Sequence, residues 1–315
     1  MTETNILLTG ATGFVGQALL KQLLKSGVHC VTATVRASIG FDSCAVVPVG
    51  DIGNATEWSN ALTNQQVVIH AAARAHIMKD EMSDPLAEYR RVNVDGTLNL
   101  ARQAATAGVK RFIFISSVKV NGEQTPLGQP FRADDTAAPE DAYGISKWEA
   151  EQGLNTIAVE TGMEVVIVRP PLVYGPNVKG NFASMINLVE RGFPLPLGAI
   201  HNQRSLVALD NLVDLIITCI DHPAAANQVF LAGDGQDLST TELLRGVAKA
   251  AGKRSRLIPF PSSLLMLAAT LLGKKLVAQL LLGSLQVDIS KARDLLGWEP
   301  ALSTEEGLRR CFSKD

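Results

Sequence analysis

Apolar runs of strand length alternate with stretches that are apolar at helical spacing through the first half of the chain. The strand-like runs cover residues 5–8, 28–35, 45–49, 67–70, 110–116 and 165–168. Helical patterns cover residues 17–25 and 84–107, and a third surrounds the sequence YGISK. Regular alternation of strand and helix is typical of a parallel sheet covered on both faces. The pattern therefore predicts an α/β fold with a doubly wound parallel sheet.

A glycine-rich turn, TGATGFVG, joins the first predicted strand to the first predicted helix. Glycines in such a turn leave backbone amides and a helix N-terminus open to a pyrophosphate. An isolated glycine triplet also occurs in ordinary tight turns, but the strand–turn–helix setting is specific. We therefore predict a Rossmann-type dinucleotide site. Its expected contacts are Gly10, Thr12, Gly13, Phe14, Val15 and Gly16.

The end of the second predicted strand bears on the choice of cofactor. NAD-binding proteins usually place an acid there for the ribose 2′-hydroxyl, but this strand ends in Thr34-Val35-Arg36. An arginine at that point can pair with a 2′-phosphate, so NADP(H) is favoured over NAD(H); the alternative is a solvent-exposed arginine. Asp51, followed by Ile52, comes after the third strand and can accept a hydrogen bond from the adenine amino group.

Small residues follow the fourth predicted strand, and they favour a close approach of backbone to cofactor. They are Ala71, Ala72 and Ala73. Arg74 and His76 come next and are candidate substrate contacts near the nicotinamide. His76 is equally well interpreted as a structural hydrogen-bonding residue.

Tyr143 and Lys147 are four residues apart on a predicted helix, so they share one face. A tyrosine hydroxyl has a pKa near ~10, which a neighbouring ammonium would lower. Such a tyrosine can exchange a proton with an alcohol or a carbonyl. Ser117, at the end of the fifth predicted strand, can hydrogen-bond the same substrate oxygen. The alternative is that this tyrosine and lysine are unrelated surface residues. The order of the motifs along the chain favours a catalytic pair.

The regular alternation ends after Pro171. Residues 174–198 are rich in Gly, Pro and Asn, and a strand plus helix returns at 204–221. We predict a dinucleotide-binding domain at 1–172, rejoined by 203–232, and a smaller C-terminal substrate-binding lobe at 173–202 and 233–315. The apolar stretch 264–285 is interrupted at Gly273 and is too short to span a bilayer. It predicts a buried or lid-forming helix pair, with docking on a membrane surface as the alternative.

Composition narrows the class of protein. Hydrophobic residues make up 46% and charged residues 19% of the 315 residues, which is typical of a soluble globular protein. A net charge of −2 without a basic run argues against nucleic acid. The four cysteines lack CxxC spacing and predict free thiols and no metal site. The N-terminus lacks a signal-peptide pattern, so we expect a cytoplasmic protein without a transmembrane segment.

Together with the Asp51-Ile52 pair, the motifs TGATGFVG, HAAA, Ser116-Ser117, YGISK and RPPLVYGP resemble an extended short-chain dehydrogenase/reductase of the NAD-dependent epimerase/dehydratase family. The resemblance implies proton transfer by Ser117, Tyr143 and Lys147. It also implies a homodimer formed by the helices near 93–107 and 143–160. Asn93 and Pro170 join the implied cofactor contacts. The implied substrate contacts on a UDP-sugar are Val118, Lys119, Asn181, Leu197 and Arg204.

Several positions depart from the pattern of the best-known 4-epimerases. Asn121 replaces a tyrosine, the acid after the second strand is missing, and no arginine lies near Ala278. Val118 and Lys119 stand where dehydratases of the family carry Asp-Glu, so dehydration is not expected. The sequences AAARAH, SSVKVNGE and PLPLG resemble the subgroup associated with UDP-4-keto-6-deoxy-N-acetylglucosamine 4-reductases.

The expected activity is hydride transfer at C4 of a UDP-linked hexose or hexosamine. Arg36 and the missing acid favour reduction of a UDP-4-keto-6-deoxy-HexNAc in surface-polysaccharide precursor synthesis. A 4-epimerase with tightly bound NAD uses the same catalytic residues and remains the alternative. A non-catalytic NADP(H)-sensing protein is a more remote alternative. Such a protein needs no tyrosine–lysine pair, and this chain has one.

Overall fold

The computed structural model describes residues 4–37, 43–75 and 84–313. Within them ten strands form: β1 (Thr4–Thr9), β2 (His29–Val35), β3 (Ala45–Pro48), β4 (Val67–His70), β5 (Arg111–Ile115), β6 (Glu164–Arg169), β7 (Leu172–Tyr174), β8 (Arg204–Ala208), β9 (Val229–Leu231) and β10 (Asp237–Leu238). The α-helices there are α1 (Phe14–Ser26), α2 (Ser59–Leu62), α3 (Pro85–Tyr89), α4 (Thr97–Thr106), α5 (Ala142–Thr161), α6 (Gly180–Glu190), α7 (Leu209–Asp221), α8 (Thr240–Ala250), α9 (Ser262–Leu271), α10 (Lys275–Leu282), α11 (Ser290–Leu296) and α12 (Thr304–Arg310).

Seven strands form the large sheet, in the order β3-β2-β1-β4-β5-β6-β9. Every neighbouring pair in it is parallel. The strand order reverses beside β1, between β1 and β4, and in open α/β sheets such a switch point carries the ligand crevice at the carboxyl ends of the strands. The predicted doubly wound parallel sheet is confirmed.

The central strands bury both faces, and β1 shows how. Ile6 and Leu8 face one core with α1 and α7, whereas Leu7 faces the other with α4 and α5. All three side chains are inaccessible to solvent. Alternation follows because successive side chains of a strand point to opposite faces. Burying each such leucine or isoleucine contributes about 1.5–3 kcal/mol, so the helices are held against the sheet by apolar contact.

A second, smaller lobe has its own core. The sheet β10-β8-β7 packs with α6, α8 and α12 around Tyr174, Phe182 and Leu243. The Tyr174 hydroxyl donates to the Asp234 carboxylate at 2.6 Å. Strand β8 lies in this small sheet, while α7, which follows it directly, packs on the large sheet. The domain boundaries expected from the sequence stay a prediction.

Three local expectations differ from the structure. Residues 84–107 are not one helix, because a π-helical segment (Arg90–Gly96) separates α3 from α4. Helix α6 forms inside 174–198, where an irregular segment is expected, and it buries Phe182. Helices α9 and α10 form as a pair over residues 262–282, but α9 buries none of its residues. Of the expected buried or lid-forming pair, burial is wrong for α9, which packs against α10, and the lid stays a prediction. No helix in the described ranges is long and apolar enough to cross a membrane.

Candidate functional site

The candidate residues of the Rossmann half gather at one edge of the large sheet, because each follows the carboxyl end of a parallel strand. In chain order they are Gly10 after β1, Arg36 after β2, Asp51 after β3, Ala71 after β4, Ser117 after β5 and Pro170 after β6. Sequence separation of up to 160 residues thus becomes proximity along a single edge.

The glycine-rich turn is shaped by close backbone contacts. Gly10 has φ of +71°, and a Cβ there would lie 2.6 Å from the backbone nitrogen of Ala72. A Cβ on Gly16 would lie 2.0 Å from the carbonyl oxygen of Gly10. Helix α1 begins at Phe14 with no side chain hydrogen-bonded to its N-terminus and no acid in its first turn. Open amides at a helix N-terminus suit the pyrophosphate of a dinucleotide.

His70 is buried, and its hydrogen bonds support this turn. No sequence pattern predicted this structural role. Its Nδ1 lies 2.7 Å from the Thr9 hydroxyl and its Nε2 lies 3.0 Å from the Thr97 hydroxyl. The Ala72 amide donates to Thr9 Oγ1 at 3.3 Å. Burial lowers the pKa of His70 to about 3, and the nearby Lys147 adds to this. His70 is therefore neutral and joins β1, β4 and α4 without bringing a charge into the site.

Asn93 ties the end of β4 to the helix that carries the tyrosine. Its side-chain amide donates to the Arg74 carbonyl and to Ser146 Oγ, each at 3.0 Å, and its Oδ1 accepts from the Arg74 amide at 2.9 Å. The Arg74 guanidinium lies 5.6 Å from the ring centroid of Tyr89. The Tyr89 ring meets Tyr143 edge-on, with centroids 5.9 Å apart.

Lys147 is buried beside the half-buried Tyr143. Its Nζ donates to the Ile115 carbonyl at 2.8 Å and lies 4.3 Å above the Phe114 ring and 6.0 Å from the Tyr143 ring centroid. Burial lowers the pKa of Lys147 to about 7, although Glu151 opposes the shift. Burial also raises the pKa of Tyr143, and Asp141 adds to that effect. Tyr143 thus holds its proton at neutral pH until positive charge is placed near the phenol.

An ion pair joins the turn that follows Ser117 to the start of the helix that carries Tyr143. Asp141 caps α5 by accepting from the Gly144 amide at 2.6 Å, and its other oxygen pairs with Lys119. Lys119 lies in the short 3₁₀ turn (Val118–Val120) that follows Ser117, and its amide donates to Ser117 Oγ at 3.2 Å. A Cβ on Gly144 would lie 2.8 Å from the Lys119 carbonyl oxygen. Gly144 therefore lets the serine turn rest on the first turn of the tyrosine helix.

A buried ion pair lies one helical turn along α5 from Lys147. It was not predicted from the sequence. Glu151 and Arg169 form two hydrogen bonds, at 3.0 and 2.5 Å, and each side chain is less than 5% exposed. Ser116 donates to the same carboxylate at 2.5 Å, and Arg169 donates to Asn121 Oδ1 at 3.1 Å. Glu151 follows Lys147 by one helical turn, and this spacing is the signal that could have revealed it. Asn121, a departure from the family pattern, is a member of this network.

The expected substrate contacts are more dispersed. Arg204 begins β8 and donates to the carbonyls of Leu280 and Gly283 at 2.9 and 3.2 Å. Asn181 is exposed in the first turn of α6 rather than in a loop. Leu197 packs partly buried against the core of the small lobe. Val118 is buried, and His76 lies outside the described residues. These assignments stay predictions.

The parallel sheet with its switch point, the glycine turn and the tyrosine–lysine helix define a dinucleotide-dependent enzyme of the short-chain dehydrogenase/reductase type. The chain belongs to the NAD dependent epimerase/dehydratase family, whose profile matches residues 6–233. The family resemblance seen in the motifs is confirmed, as is the expectation of an enzyme.

Individual relatives agree with this assignment. The chain is 52% identical over 307 residues to a UDP-glucose 4-epimerase of Vibrio cholerae, which covers 97% of this chain and 94% of the relative. A UDP-glucose 4-epimerase from Thermotoga maritima, solved with UDP-glucose, superposes with a TM-score of 0.76 at 24% identity, covering 98% and 97% of the two chains. MoeE5 in complex with UDP-glucuronic acid and NAD superposes with a TM-score of 0.77 at 25% identity, covering 97% of each chain.

The buried ammonium of Lys147 makes a specific pH dependence of stability expected. Its pKa is about 7 in the folded protein and near 10.5 when unfolded, so between these values the unfolded chain binds one more proton. This group's contribution to the free energy of unfolding therefore rises with pH through that window, by at most about 1.4 kcal/mol per pH unit. We expect Lys147→Met to remove this rise. Urea unfolding of the cofactor-free protein at pH 7.5, 8.5 and 9.5 measures it.

The exposed Lys25 offers a matched control, because Lys25→Met should leave the pH dependence of the native protein unchanged. From pH 7.5 to 9.5 the native protein should gain about 1–2.5 kcal/mol relative to Lys147→Met. If the free energies of unfolding of the native protein and of Lys147→Met changed with pH in parallel, Lys147 would be as easily protonated in the folded protein as in water.

Proposed function

We propose that the protein interconverts epimers at C4 of a UDP-linked hexose or hexosamine, with NAD as cofactor. The observation that supports the proposal is the placement of Ser117 after β5 and of Tyr143 and Lys147 on α5, at the carboxyl edge of the parallel sheet. The 52% identity to a UDP-glucose 4-epimerase over nearly the whole chain supports epimerisation over the net reduction favoured from the sequence.

The site's own residues suit the NAD that the proposal needs. The side-chain-free approach of Gly10 to Ala72 and the uncapped N-terminus of α1 leave a cradle for the pyrophosphate. Asp51 follows β3, where the adenine end should lie. When bound, the nicotinamide supplies the hydride acceptor and donor for the sugar C4 carbon.

Tyr143 is placed to move the proton. As a phenolate it takes the proton from the C4 hydroxyl during oxidation, and as the resulting phenol it returns that proton during reduction. The Lys147 ammonium stabilises the phenolate that is present before oxidation and again after reduction, because it is held in a buried site where a charge acts strongly. Ser117 donates to or accepts from the same sugar oxygen and fixes its direction. Epimerisation also requires the sugar to present its other face before the proton returns.

Removal of the phenol tests the proposed proton transfer. Tyr143→Phe should lower kcat for UDP-glucose or UDP-N-acetylglucosamine epimerisation on the order of 10²–10⁴-fold, because the ring stays and the proton carrier goes. NAD content and the unfolding temperature of the variant are the controls and should stay close to the native values. Turnover near that of the native protein would remove Tyr143 from the mechanism.

Net reduction of a UDP-4-keto-6-deoxy-HexNAc with NADPH is the second candidate, and Arg36 favours it. This arginine is exposed directly after β2, where it can reach a 2′-phosphate. A reductase must release oxidised cofactor in each cycle, whereas an epimerase retains its cofactor.

Cofactor content of the purified protein separates the two candidates. Stoichiometric bound NAD(H) is the outcome expected of the epimerase, and empty sites that fill with NADPH support the reductase. If Arg36 binds a 2′-phosphate, Arg36→Ala should weaken NADPH binding much more than NADH binding, since only NADPH offers that group. Equal loss for the two nucleotides would make Arg36 a bystander.

We also propose that Arg204 and Asn181 contact the substrate diphosphate at the junction of the lobes. Arg204 stands at the start of β8, and burial lowers the pKa of its guanidinium, an effect that Glu123 opposes. Arg204→Ala should weaken UDP binding at least tenfold, about 1.4 kcal/mol, with NAD binding unchanged. Separate calorimetric titrations of UDP and NAD measure this. Unaltered UDP affinity would place the diphosphate elsewhere.

A further inference from the structure

Helices α9 and α10 carry an unusual amount of exposed apolar surface. Leu264, Leu267 and Leu271 recur at helical spacing along α9 and are 49%, 57% and 79% exposed. Single exposed leucines are normal on protein surfaces, but a continuous stripe marks an interaction site. The pair contributes little to the core of the described protein, because α9 has no buried residue.

The exposed apolar surface continues on both sides of this stripe. Leu272, in the turn between the helices, is solvent-exposed, and Val277 and Leu280 lie three residues apart on α10. Ile258 and Phe260 are exposed in the segment that leads into α9. We refer to residues 258–282 as the apolar hairpin.

Charge along the chain from residue 243 to residue 287 is of one sign, and one of its basic residues, Lys249, pairs with Glu305 at 2.7 Å. Residues 243–287 contain no aspartate or glutamate. Their seven basic residues are Arg245, Lys249, Lys253, Arg254, Arg256, Lys274 and Lys275. This segment therefore carries +7, which leaves −9 on the rest of a chain whose net charge is −2. The small net charge of the whole chain therefore does not reveal this basic segment, which also contains the exposed leucines of α9.

We propose that the apolar hairpin docks on a membrane surface that contains anionic phospholipids. Exposed leucines can enter the boundary between headgroups and acyl chains, while neighbouring lysines and arginines pair with lipid phosphates. Helices of 10 and 8 residues span about 15 and 12 Å, so they lie on a bilayer and do not cross it. Lys253, Arg254 and Arg256 are exposed just before α9, and Lys274 is exposed just before α10.

Charge also argues against a second copy of the chain as the occupant. An isologous contact places the same patch on both partners, so two +7 segments would face each other. The homodimer implied by the family would instead use α4 and α5, which pack together on the large sheet. An anionic lipid surface complements the hairpin, whereas a second hairpin repels it.

The hairpin is firmly connected to the small lobe. Asn202 donates to the Gly283 carbonyl at 2.7 Å, and the Thr240 hydroxyl donates to the Leu281 carbonyl at 2.6 Å. Arg204, the candidate diphosphate contact, donates to the Leu280 carbonyl. Docking would thus hold the lobe at the lipid surface. The inference is independent of the reaction at C4.

Sedimentation with lipid vesicles tests the proposal on the full-length protein. Vesicles of phosphatidylcholine with about a third phosphatidylglycerol should bind the protein at low salt, and vesicles of phosphatidylcholine alone should bind it at least tenfold less. Binding should weaken as salt is raised from 0.05 to 0.5 M, because exposed charges are screened.

Two pairs of variants separate the apolar and the basic contribution. Leu267→Gln with Leu271→Gln, and separately Arg254→Gln with Arg256→Gln, should each reduce the affinity for anionic vesicles about tenfold or more. The matched controls lie elsewhere on the surface. Val28→Gln removes an exposed apolar side chain in the turn after α1, and Lys25→Gln with Lys110→Gln removes two exposed charges. These controls should bind vesicles as the native protein does, and all variants should keep the native rate on a UDP-sugar in solution.

The outcomes that overturn the proposal are definite. Native protein that stays in the supernatant with anionic vesicles, or leucine and arginine variants that bind as tightly as the controls, would exclude membrane docking. Light scattering without vesicles addresses self-association. A dimer mass unchanged by the leucine variants is expected, whereas a mass that falls to one chain in those variants would assign the hairpin to a second copy instead.

Discussion

A buried ammonium at the carboxyl end of β5 sets the requirements for the surrounding structure. Lys147 is 2% exposed, and taking an unpaired ammonium out of water costs several kcal/mol. The fold offsets part of that cost with the Ile115 carbonyl and the Phe114 ring. Stability alone does not call for a lysine here, because an apolar side chain would fit the site without this penalty. The proposed function accounts for the lysine, because an ammonium at this point stabilises a phenolate on the neighbouring Tyr143.

The need to keep the Lys147 ammonium buried also accounts for the arrangement of the polar residues around it. His70 is kept neutral and hydrogen-bonded on both ring nitrogens, so it adds no repulsion to Lys147. Glu151 is near enough to favour the ammonium but is itself neutralised by Arg169. Asn93 and Asp141 then fix the helix that carries Tyr143. The contacts of His70, Glu151 and Asn93 join different strands and helices, and the Asp141–Lys119 pair joins α5 to the turn after Ser117, so the candidate catalytic groups are held in place before any ligand arrives.

The small lobe serves different physical requirements from the sheet. The sheet edge gathers charged and polar groups at the carboxyl ends of the strands, whereas the apolar hairpin leaves leucines and basic residues exposed. Such a surface reduces solubility and adds nothing to the described core, so an external partner accounts for it better than folding does. Arg204 hydrogen-bonds to the end of α10, and this contact connects the proposed docking surface with the proposed substrate site.

Local sequence determined strands β1 to β6 and β8, the glycine turn and the spacing of Tyr143 and Lys147, because periodicity and backbone freedom are properties of short segments, whereas the short strands β7, β9 and β10 were not predicted. The order of motifs was enough to predict a doubly wound sheet and the family. Only the tertiary structure decided which distant residues meet. The contact between Glu151 and Arg169, the bonds of His70 to Thr9 and Thr97, and the position of Asn93 all join residues far apart in the chain. The exposure of α9 was also beyond reach from the sequence, since an apolar helix has the same pattern whether a core or a membrane is to cover it.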